Sequence, residues 1–224
     1  MTTNGALPQI LERIKSFDKV IWDFDGVLSE TEVLHQESYR RVASDLGFVP
    51  TGDWYTPLIG NTAFNNWGTL IKCGLQATTA DIPELEARRE QLFTSLAGAG
   101  LRFSNIGEIL VFAFDAAGIQ QEVVSNGDLS LIAESIGQWG YDGVLHVVER
   151  QPDADKLALL EARARPGTIT FDDTDRYLRA AEQAGAHAVG VRHGHNSHCV
   201  LTDPALNIDD GRDFPVRSNE CLQL

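Results

Sequence analysis

Carboxylates and a hydroxyl group occur in three short polar segments of this chain, each directly after a short apolar run. The segments are Asp23-Phe24-Asp25-Gly26-Val27-Leu28, Ser125-Asn126-Gly127 and Asp172-Asp173-Thr174. Short apolar runs bounded by polar residues are typical of buried strands. Because the carboxyl ends of parallel strands meet at one edge of a sheet, we expect the side chains of these segments to share one crevice.

The residue types in that crevice limit its chemistry. Four carboxylates repel one another unless a cation lies among them, and oxygen ligands suit Mg²⁺, which takes one or two carboxylates together with waters and substrate phosphate. An aspartate can attack phosphorus, and the Ser125 hydroxyl with backbone N–H groups near a helix start can hold phosphate oxygens. The sequence therefore predicts Mg²⁺-dependent phosphoryl transfer with Asp23 as the nucleophile.

The elements that must position these residues alternate between strand and helix patterns. Five apolar runs predict strands over 19–23, 122–125, 143–148, 168–171 and 187–191. Helices are predicted from their ends: Ser104 to Ala117, Asp128 to Ile136 with Gly137 as the end, Asp153 to Arg163, and Thr174 to Ala184. Alternation of this kind predicts an α/β fold, a three-layer Rossmann-like parallel sheet with helices on both faces.

Nearly a hundred residues separate the first two predicted strands, more than one crossover needs. This stretch has helical patterns of its own. One apolar face comprises His35, Tyr39, Val42, Ala43 and Leu46, and Asp81-Ile82-Pro83-Glu84 is typical of a helix start. We therefore predict a catalytic core of residues 1–28 and 104–224, with a helical cap domain of residues 29–103 inserted on two connections.

Composition and charge bear on the possible partners and on the cellular setting of the protein. The 224 residues carry a formal charge of −14 and a pI near 4.7, which disfavours nucleic-acid binding. The three cysteines, Cys73, Cys199 and Cys221, have no metal-binding spacing, which favours a reduced, cytoplasmic setting. We expect no membrane span and no export signal, because no long apolar stretch occurs. The sequence does not indicate an oligomeric state.

The three segments, in this order and with a cap-sized insert, resemble the motifs of the haloacid dehalogenase-like (HAD) superfamily. Asp23–Leu28 is similar to its first motif, Val124-Ser125-Asn126-Gly127 to its second, and Phe171-Asp172-Asp173-Thr174 to its acidic fourth motif. The passage from Gly26 to His35 resembles the entry to the helical cap of the β-phosphoglucomutase and phosphoglycolate phosphatase branch.

The resemblance implies a role for each site residue. Asp23 would attack phosphorus and form an aspartyl-phosphate, while Asp25 would protonate the leaving oxygen and then activate water. Mg²⁺ would be held by Asp23, the backbone carbonyl of Asp25, and Asp173, with Asp172 as a direct ligand or one shell further out. Ser125 and the Asn126 amide would bind the transferring phosphoryl group. An acid at position 25 implies phosphate chemistry over carbon–halogen cleavage.

The third motif of the family departs from its usual pattern in this chain. Where a lysine is expected, the sequence reads Arg150-Gln151-Pro152-Asp153-Ala154-Asp155, with Gln151 at the lysine position of the nearest relatives. Lys156 and Arg150 are both candidates for the cation that supports Asp23. Lys156 is about one turn into the predicted helix, a placement that other branches of the family use. It is favoured, because only a cation can offset the charge on both Asp23 and the phosphoryl group.

The predicted function is hydrolysis of a small phosphomonoester, such as a sugar phosphate, through an aspartyl-phosphate. One alternative is a phosphomutase of the β-phosphoglucomutase type, although no basic cap residue stands near Gly60-Asn61-Thr62. Another alternative is a non-catalytic phosphate-binding protein on the same scaffold. The histidine-rich segment 193–198 has no common zinc spacing, so we expect a polar loop there. A dedicated metal site is the alternative.

Overall fold

The computed structural model of the chain describes residues 6–59, 61–98, 100–149, 155–192 and 206–209. Within these residues, six parallel strands form one sheet in the order β3-β2-β1-β4-β5-β6. The strands are β1 (Lys19–Trp22), β2 (Gln120–Val123), β3 (Leu145–Val147), β4 (Thr168–Asp172), β5 (His187–Arg192) and β6 (Leu206–Asp209). The α/β class and the Rossmann-like parallel sheet that the sequence predicts are confirmed.

The sixth strand was not predicted from the sequence. β6 pairs with β5 along four residues, from Val189↔Leu206 to Arg192↔Asp209. Its sequence, Leu-Asn-Ile-Asp, has only two apolar residues and adds a strand at the edge of the sheet. Edge strands need less apolar surface than central strands, so a short alternating segment of this kind gives little signal.

In the described parts of the chain, five helices accompany the sheet: α1 (Ala6–Glu12), α5 (Asn105–Ala116), α6 (Leu129–Trp139), α7 (Lys156–Arg163) and α8 (Asp175–Gln183). Ser104 and Asp128 cap α5 and α6 with side-chain oxygens, as predicted. Asp155 caps α7, and the predicted start at Asp153 lies outside the described residues. The prediction that α6 ends at Gly137 is wrong. The helix continues to Trp139, and Gly140, with a left-handed φ of 79°, ends it.

The two faces of the sheet have separate cores, because successive residues of a strand point to opposite sides. Val20 and Trp22 of β1 pack with α5 residues such as Leu110 and Phe114 on one face. Ile21, between them, packs with Leu160 of α7 and Leu178 of α8 on the other. The helix–sheet–helix sandwich makes the three layers predicted from the sequence.

Three further helices lie between β1 and α5: α2 (Glu32–Asp45), α3 (Ala63–Lys72) and α4 (Ile82–Ala97). These inserted helices bury an apolar cluster of their own, and its members include Tyr39, Val42, Tyr55, Trp67, Leu70, Ile82 and Leu85. The Asp81 carboxylate does not cap α4 as predicted. It accepts hydrogen bonds from the backbone N–H and hydroxyl of Thr78, which closes the preceding 3-10 turn.

The inserted helices join the sheet through two connections that bond to each other. Ser29 forms an antiparallel bridge with Phe103, and the Ser104 N–H donates to the Leu28 carbonyl at 2.8 Å. The Ser104 hydroxyl donates to the Val27 carbonyl at 2.5 Å while its oxygen accepts from Gly107 N–H. The division of the chain into core and cap at residues 29 and 103 stays a prediction. No helix in the described parts of the chain is long and apolar enough to cross a membrane.

Candidate active site

The residues that the sequence analysis selected for chemistry lie where the strand order of the sheet reverses. β1 and β4 are neighbours at this switch point, and β2 follows β1 on its other side. Asp23 directly follows β1, Asp172 ends β4, and Ser125 lies two residues beyond β2. Open parallel sheets bind ligands in the crevice at such a point.

A tight turn after β1 holds Asp23 and Asp25 in place. The Phe24 carbonyl accepts from the N–H groups of Leu28 and Ser29, at 3.0 and 2.9 Å. Gly26 adopts a left-handed φ of 75°, a conformation that glycine tolerates without a steric penalty. One Asp23 oxygen accepts from the Phe24 N–H at 2.7 Å, so the carboxylate is fixed by its own loop.

Three buried aspartates form a potential metal site. Asp23, Asp172 and Asp173 each offer a carboxylate oxygen, and these oxygens lie within 4.8 Å of one another. Their residues are only 6%, 0% and 7% exposed. Thr174 positions Asp172 and Asp173: its N–H donates to Asp172 at 2.9 Å and its hydroxyl to Asp173 at 3.1 Å. The Thr174 hydroxyl therefore does not cap α8, although the helix starts near the predicted position.

Lys156 lies against this carboxylate cluster. Its Nζ is 2.7 Å from Asp23 Oδ2 and 2.6 Å from Asp172 Oδ2, and the residue is 2% exposed. Lys156 is the first residue of α7, whose start is fixed by the Asp155 cap. Arg150, the rival candidate, lies outside the described residues.

The charges of the cluster do not balance. Burial raises the pKa of Asp23 well above its ordinary value; Lys156 opposes the rise, and Asp172, Asp173 and Asp25 add to it. Burial also raises the pKa of Asp172, to about 6, against the effect of Lys156. Burial disfavours the charged form of Lys156, but Asp172 and Asp23 outweigh it and its pKa is raised. The cluster has excess negative charge and only oxygen donors, so its composition fits a hard cation such as Mg²⁺.

The Asp25 carboxylate has contacts outside that cluster. Asp25 Oδ1 lies 3.7 Å from His35 Nε2, and Oδ2 lies 3.4 Å from the Ser125 hydroxyl. Burial raises the pKa of Asp25, but hydrogen bonds from His35 and Thr31 outweigh it, so the pKa is lowered overall. The Asp25 side chain is therefore not grouped with the three metal-binding candidates. Its predicted contribution to a metal site is through its backbone carbonyl.

His35 belongs to the inserted helix α2 and is itself held on two sides. Its ring stacks on Phe93 of α4 at 4.1 Å with an interplanar angle of 7°. Arg89 Nη1 lies 3.2 Å from His35 Nδ1. Because arginine only donates, Nδ1 must accept, and the ring proton of a neutral His35 is on Nε2, facing Asp25. The sequence placed His35 on an apolar helix face and gave no sign of this contact.

Ser125 and Gly127 complete the edge that faces Asp25. The Ser125 oxygen accepts from the Gly127 N–H at 2.9 Å. A side chain at Gly127 would bring a Cβ to 3.0 Å from Asp25 Oδ2 and 3.3 Å from the Ser125 oxygen. Glycine at 127 therefore avoids a close contact with the Asp25 carboxylate and the Ser125 hydroxyl.

Comparisons with known proteins agree with this geometry at the level of the fold. No protein-family sequence model matches the chain, and no curated protein matches it in sequence. Its structure is similar to a haloacid dehalogenase-like hydrolase from Streptococcus pneumoniae, with a TM-score of 0.71 and 14% identity over 86% of this chain and 93% of that one.

Two further solved structures are similar over 86% of this chain. CbbY from Rhodobacter sphaeroides in complex with xylulose-1,5-bisphosphate has a TM-score of 0.68 and 19% identity over 93% of its chain. β-Phosphoglucomutase from Clostridium difficile has a TM-score of 0.66 and 16% identity over 91% of its chain. The protein shares the fold of these three structures.

In this shared fold, the Asn126 side chain is bound on both sides. Its Nδ2 donates to the Tyr177 hydroxyl at 2.8 Å, and its Oδ1 accepts from the Lys156 backbone N–H at 3.2 Å. The predicted contact of Asn126 with phosphate, if made by the side chain, would compete with these bonds. Its backbone N–H is a separate donor that these two bonds do not use.

Tyr177 also contacts the site, although it belongs to none of the three polar segments selected from the sequence. The residue lies in the first turn of α8, and its ring centroid is 4.3 Å from Lys156 Nζ. The signal that could have identified it is its position, four residues after Asp173 and so one helical turn beyond the acidic segment.

Proposed function

We propose that this protein is a Mg²⁺-dependent phosphatase that hydrolyses a small phosphomonoester through an aspartyl-phosphate on Asp23. The observation that carries the proposal is the placement of a buried carboxylate, Asp23, 2.7 Å from Lys156 and within a cluster that includes Asp172 and Asp173. A carboxylate beside a fixed cation, at the edge of a sheet where ligands bind, has the surroundings that a nucleophile for phosphorus needs.

In the first half-reaction, an Asp23 oxygen forms a bond to phosphorus as the bond to the leaving oxygen breaks. Asp25, carrying the proton that it took from water in the preceding turnover, donates this proton to that oxygen, so the product leaves as an alcohol. Lys156 offsets the negative charge of Asp23 and of the phosphoryl group. Ser125 and backbone N–H groups near the start of α6 would hold the phosphoryl oxygens.

In the second half-reaction, Asp25 takes a proton from a water molecule whose oxygen attacks phosphorus. The bond between phosphorus and Asp23 breaks, and inorganic phosphate leaves. The lowered pKa of Asp25 favours the carboxylate that this step requires. His35 lies against Oδ1 of the same carboxylate, and the Ser125 hydroxyl donates to Oδ2.

A bound Mg²⁺ would supply charge neutralisation for the transferring phosphoryl group. Asp23, Asp173 and the Asp25 carbonyl are the residues that would hold it, with Asp172 as a ligand or as a partner one shell further out. The cluster of three buried carboxylates and its unbalanced negative charge support this assignment.

The inserted helices favour a phosphatase over a phosphomutase. A mutase must also hold the second phosphate of a bisphosphate, which calls for cations facing the site. Four arginines of these helices instead pair with carboxylates of the same helices, in the pairs Arg40–Glu37, Arg41–Glu37, Arg88–Asp45 and Arg89–Glu86. The bisphosphate bound to the related CbbY keeps phosphorylated sugars in the substrate class to be tested.

Phosphate release from a panel of phosphorylated sugars, acids and nucleotides, with Asp23→Asn as the control, tests the proposal. We expect release by the native protein with Mg²⁺ and none by the variant. Turnover that requires a bisphosphate primer and releases little phosphate would identify a mutase. Binding of phosphate without release from any substrate would identify a phosphate-binding protein. The cytoplasmic setting stays a prediction from cysteine usage.

A further inference from the structure

Tyr177 connects three segments of the site that are far apart in the sequence. Its hydroxyl accepts from Asn126 in the loop after β2, and its ring faces Lys156 at the start of α7. Tyr177 itself lies on α8, just after the β4 aspartates. The Lys156 N–H also donates to Asn126 Oδ1, so Asn126, Lys156 and Tyr177 form a closed set of contacts. These three residues are here called the tyrosine clamp.

The ring of Tyr177 covers a side of Lys156 that its carboxylate partners leave open. An ammonium group has three donors, and the contacts to Asp23 and Asp172, at 2.7 and 2.6 Å, account for two. At 4.3 Å from Nζ, the ring centroid is well within the distance at which an aromatic face attracts a cation. Lys156 is almost completely buried, so this attraction is not weakened by water as it would be at an exposed site.

We propose that Tyr177 is a positioning residue that fixes the Lys156 ammonium through its ring and the Asn126 amide through its hydroxyl. This inference rests on the proposed function. During the reaction Asp23 changes from a free carboxylate to an aspartyl-phosphate, so its contact with Lys156 changes. Asp172 and the Tyr177 ring do not react, and they keep the ammonium in place through both half-reactions.

A fluorination series tests the role of the ring. Phenylalanine, 4-fluorophenylalanine and 3,4,5-trifluorophenylalanine at position 177 have similar shapes, but each fluorine withdraws electron density from the ring face. We expect kcat to fall stepwise along the series, by about tenfold at the trifluoro ring, with KM little changed. The same residues at Tyr141, which lies in the loop between α6 and β3, are the matched control and should give a flat series. A flat series at position 177 would overturn the role of the ring.

A double-mutant cycle tests the hydroxyl. Tyr177→Phe and Asn126→Ala each remove the same hydrogen bond, so their combined effect on kcat should be smaller than the product of the single effects. Fully multiplicative effects would show that the hydroxyl does not act through Asn126.

A measurement on the resting protein separates this inference from the proposed function. The chain has four lysines, Lys15, Lys19, Lys72 and Lys156, so the ammonium signals in a ¹H–¹⁵N spectrum are few. We expect the Lys156 ammonium protons to be shifted upfield by the ring and to lose that shift in Tyr177→Leu. An unshifted native signal would overturn the clamp whatever the activity, whereas a shifted signal with no phosphate release from any substrate would overturn only the proposed function.

Discussion

Lys156 Nζ lies 2.7 Å from Asp23 Oδ2, and both side chains are almost completely buried. A second buried lysine, Lys19, pairs with Glu122 at 3.3 Å on the neighbouring strand. Arg163 bonds the same glutamate, so that pair has two cations for one acid. At Lys156 the imbalance is reversed, with one cation among several carboxylates. Lys19 therefore belongs to a structural ion pair, whereas Lys156 belongs to a cluster with excess negative charge.

Replacing Lys156 with Met should lower kcat by about 10²- to 10³-fold, because the reacting phosphoryl group loses a fixed cation. Lys19→Met is the matched control, since it also removes a buried ammonium from a carboxylate. It should lower the melting temperature and leave kcat within about twofold. Steady-state kinetics and thermal unfolding measure both effects. A larger loss of activity in Arg150→Ala than in Lys156→Met would reassign the supporting cation to Arg150.

Asp23→Asn should reduce phosphate release by at least about 10³-fold while preserving the fold, because an amide cannot form the aspartyl-phosphate. Without metal, its melting temperature should equal or exceed that of the native protein. The substitution removes one of the carboxylates that raise one another's pKa, and Lys156 keeps its contact with Asp172. Phosphate release near the native rate would remove Asp23 as the nucleophile.

Much of the sheet and of the carboxylate cluster could be predicted from the sequence. The segments at Asp23, Ser125 and Asp172 each follow a buried apolar run, and parallel topology alone brings such segments to one edge. The capping residues Ser104 and Asp128 were identifiable because their side chains bond the chain only two or three residues further on. Interactions of this kind depend on local sequence, or on topology that local sequence determines.

His35 and Tyr177 could not be assigned to the site in the same way. Each occupies a helix position that suits ordinary packing, and each contacts a residue of another element: His35 faces Asp25, and Tyr177 bonds Asn126. Contacts between elements depend on how the helices are oriented, which one sequence does not encode in any short pattern. β6 was not predicted for a related reason. Its strand structure depends on pairing with β5, and its two apolar residues alone do not form a strand pattern.

Removing divalent cations should stop phosphate release, because the carboxylate cluster would then repel the substrate phosphate. Excess chelator should abolish activity, and added Mg²⁺ should restore it. Mg²⁺ should also raise the melting temperature of the native protein, but much less in Asp173→Asn, which lacks one of the three cluster carboxylates. Full activity in excess chelator would contradict the assignment of a metal site.

Without metal, the stability of the native protein should fall as pH rises from about 4 to 6, through the raised pKa of Asp172. In that range the folded chain holds a proton that the unfolded chain has released, so rising pH favours unfolding. Melting temperatures in chelator at pH 5 and pH 7 should differ more for the native protein than for Asp172→Asn. Mg²⁺ favours the carboxylate form and should reduce the difference. Equal pH dependence in both proteins would show that Asp172 does not take up this proton.

His35→Phe should lower kcat by about 10- to 100-fold with a smaller change in KM, because the Asp25 carboxylate loses the donor that holds Oδ1. Phenylalanine preserves the stacking on Phe93, so the packing of α2 on α4 is retained. The loss should also raise the pKa of Asp25, which moves the acidic limb of the pH–rate profile to higher pH. His35→Gln is the matched variant, since its amide can donate to Asp25, and it should recover part of the activity. If the two variants were equally slow and had the native pH profile, His35 would contribute to packing and not to the position of Asp25.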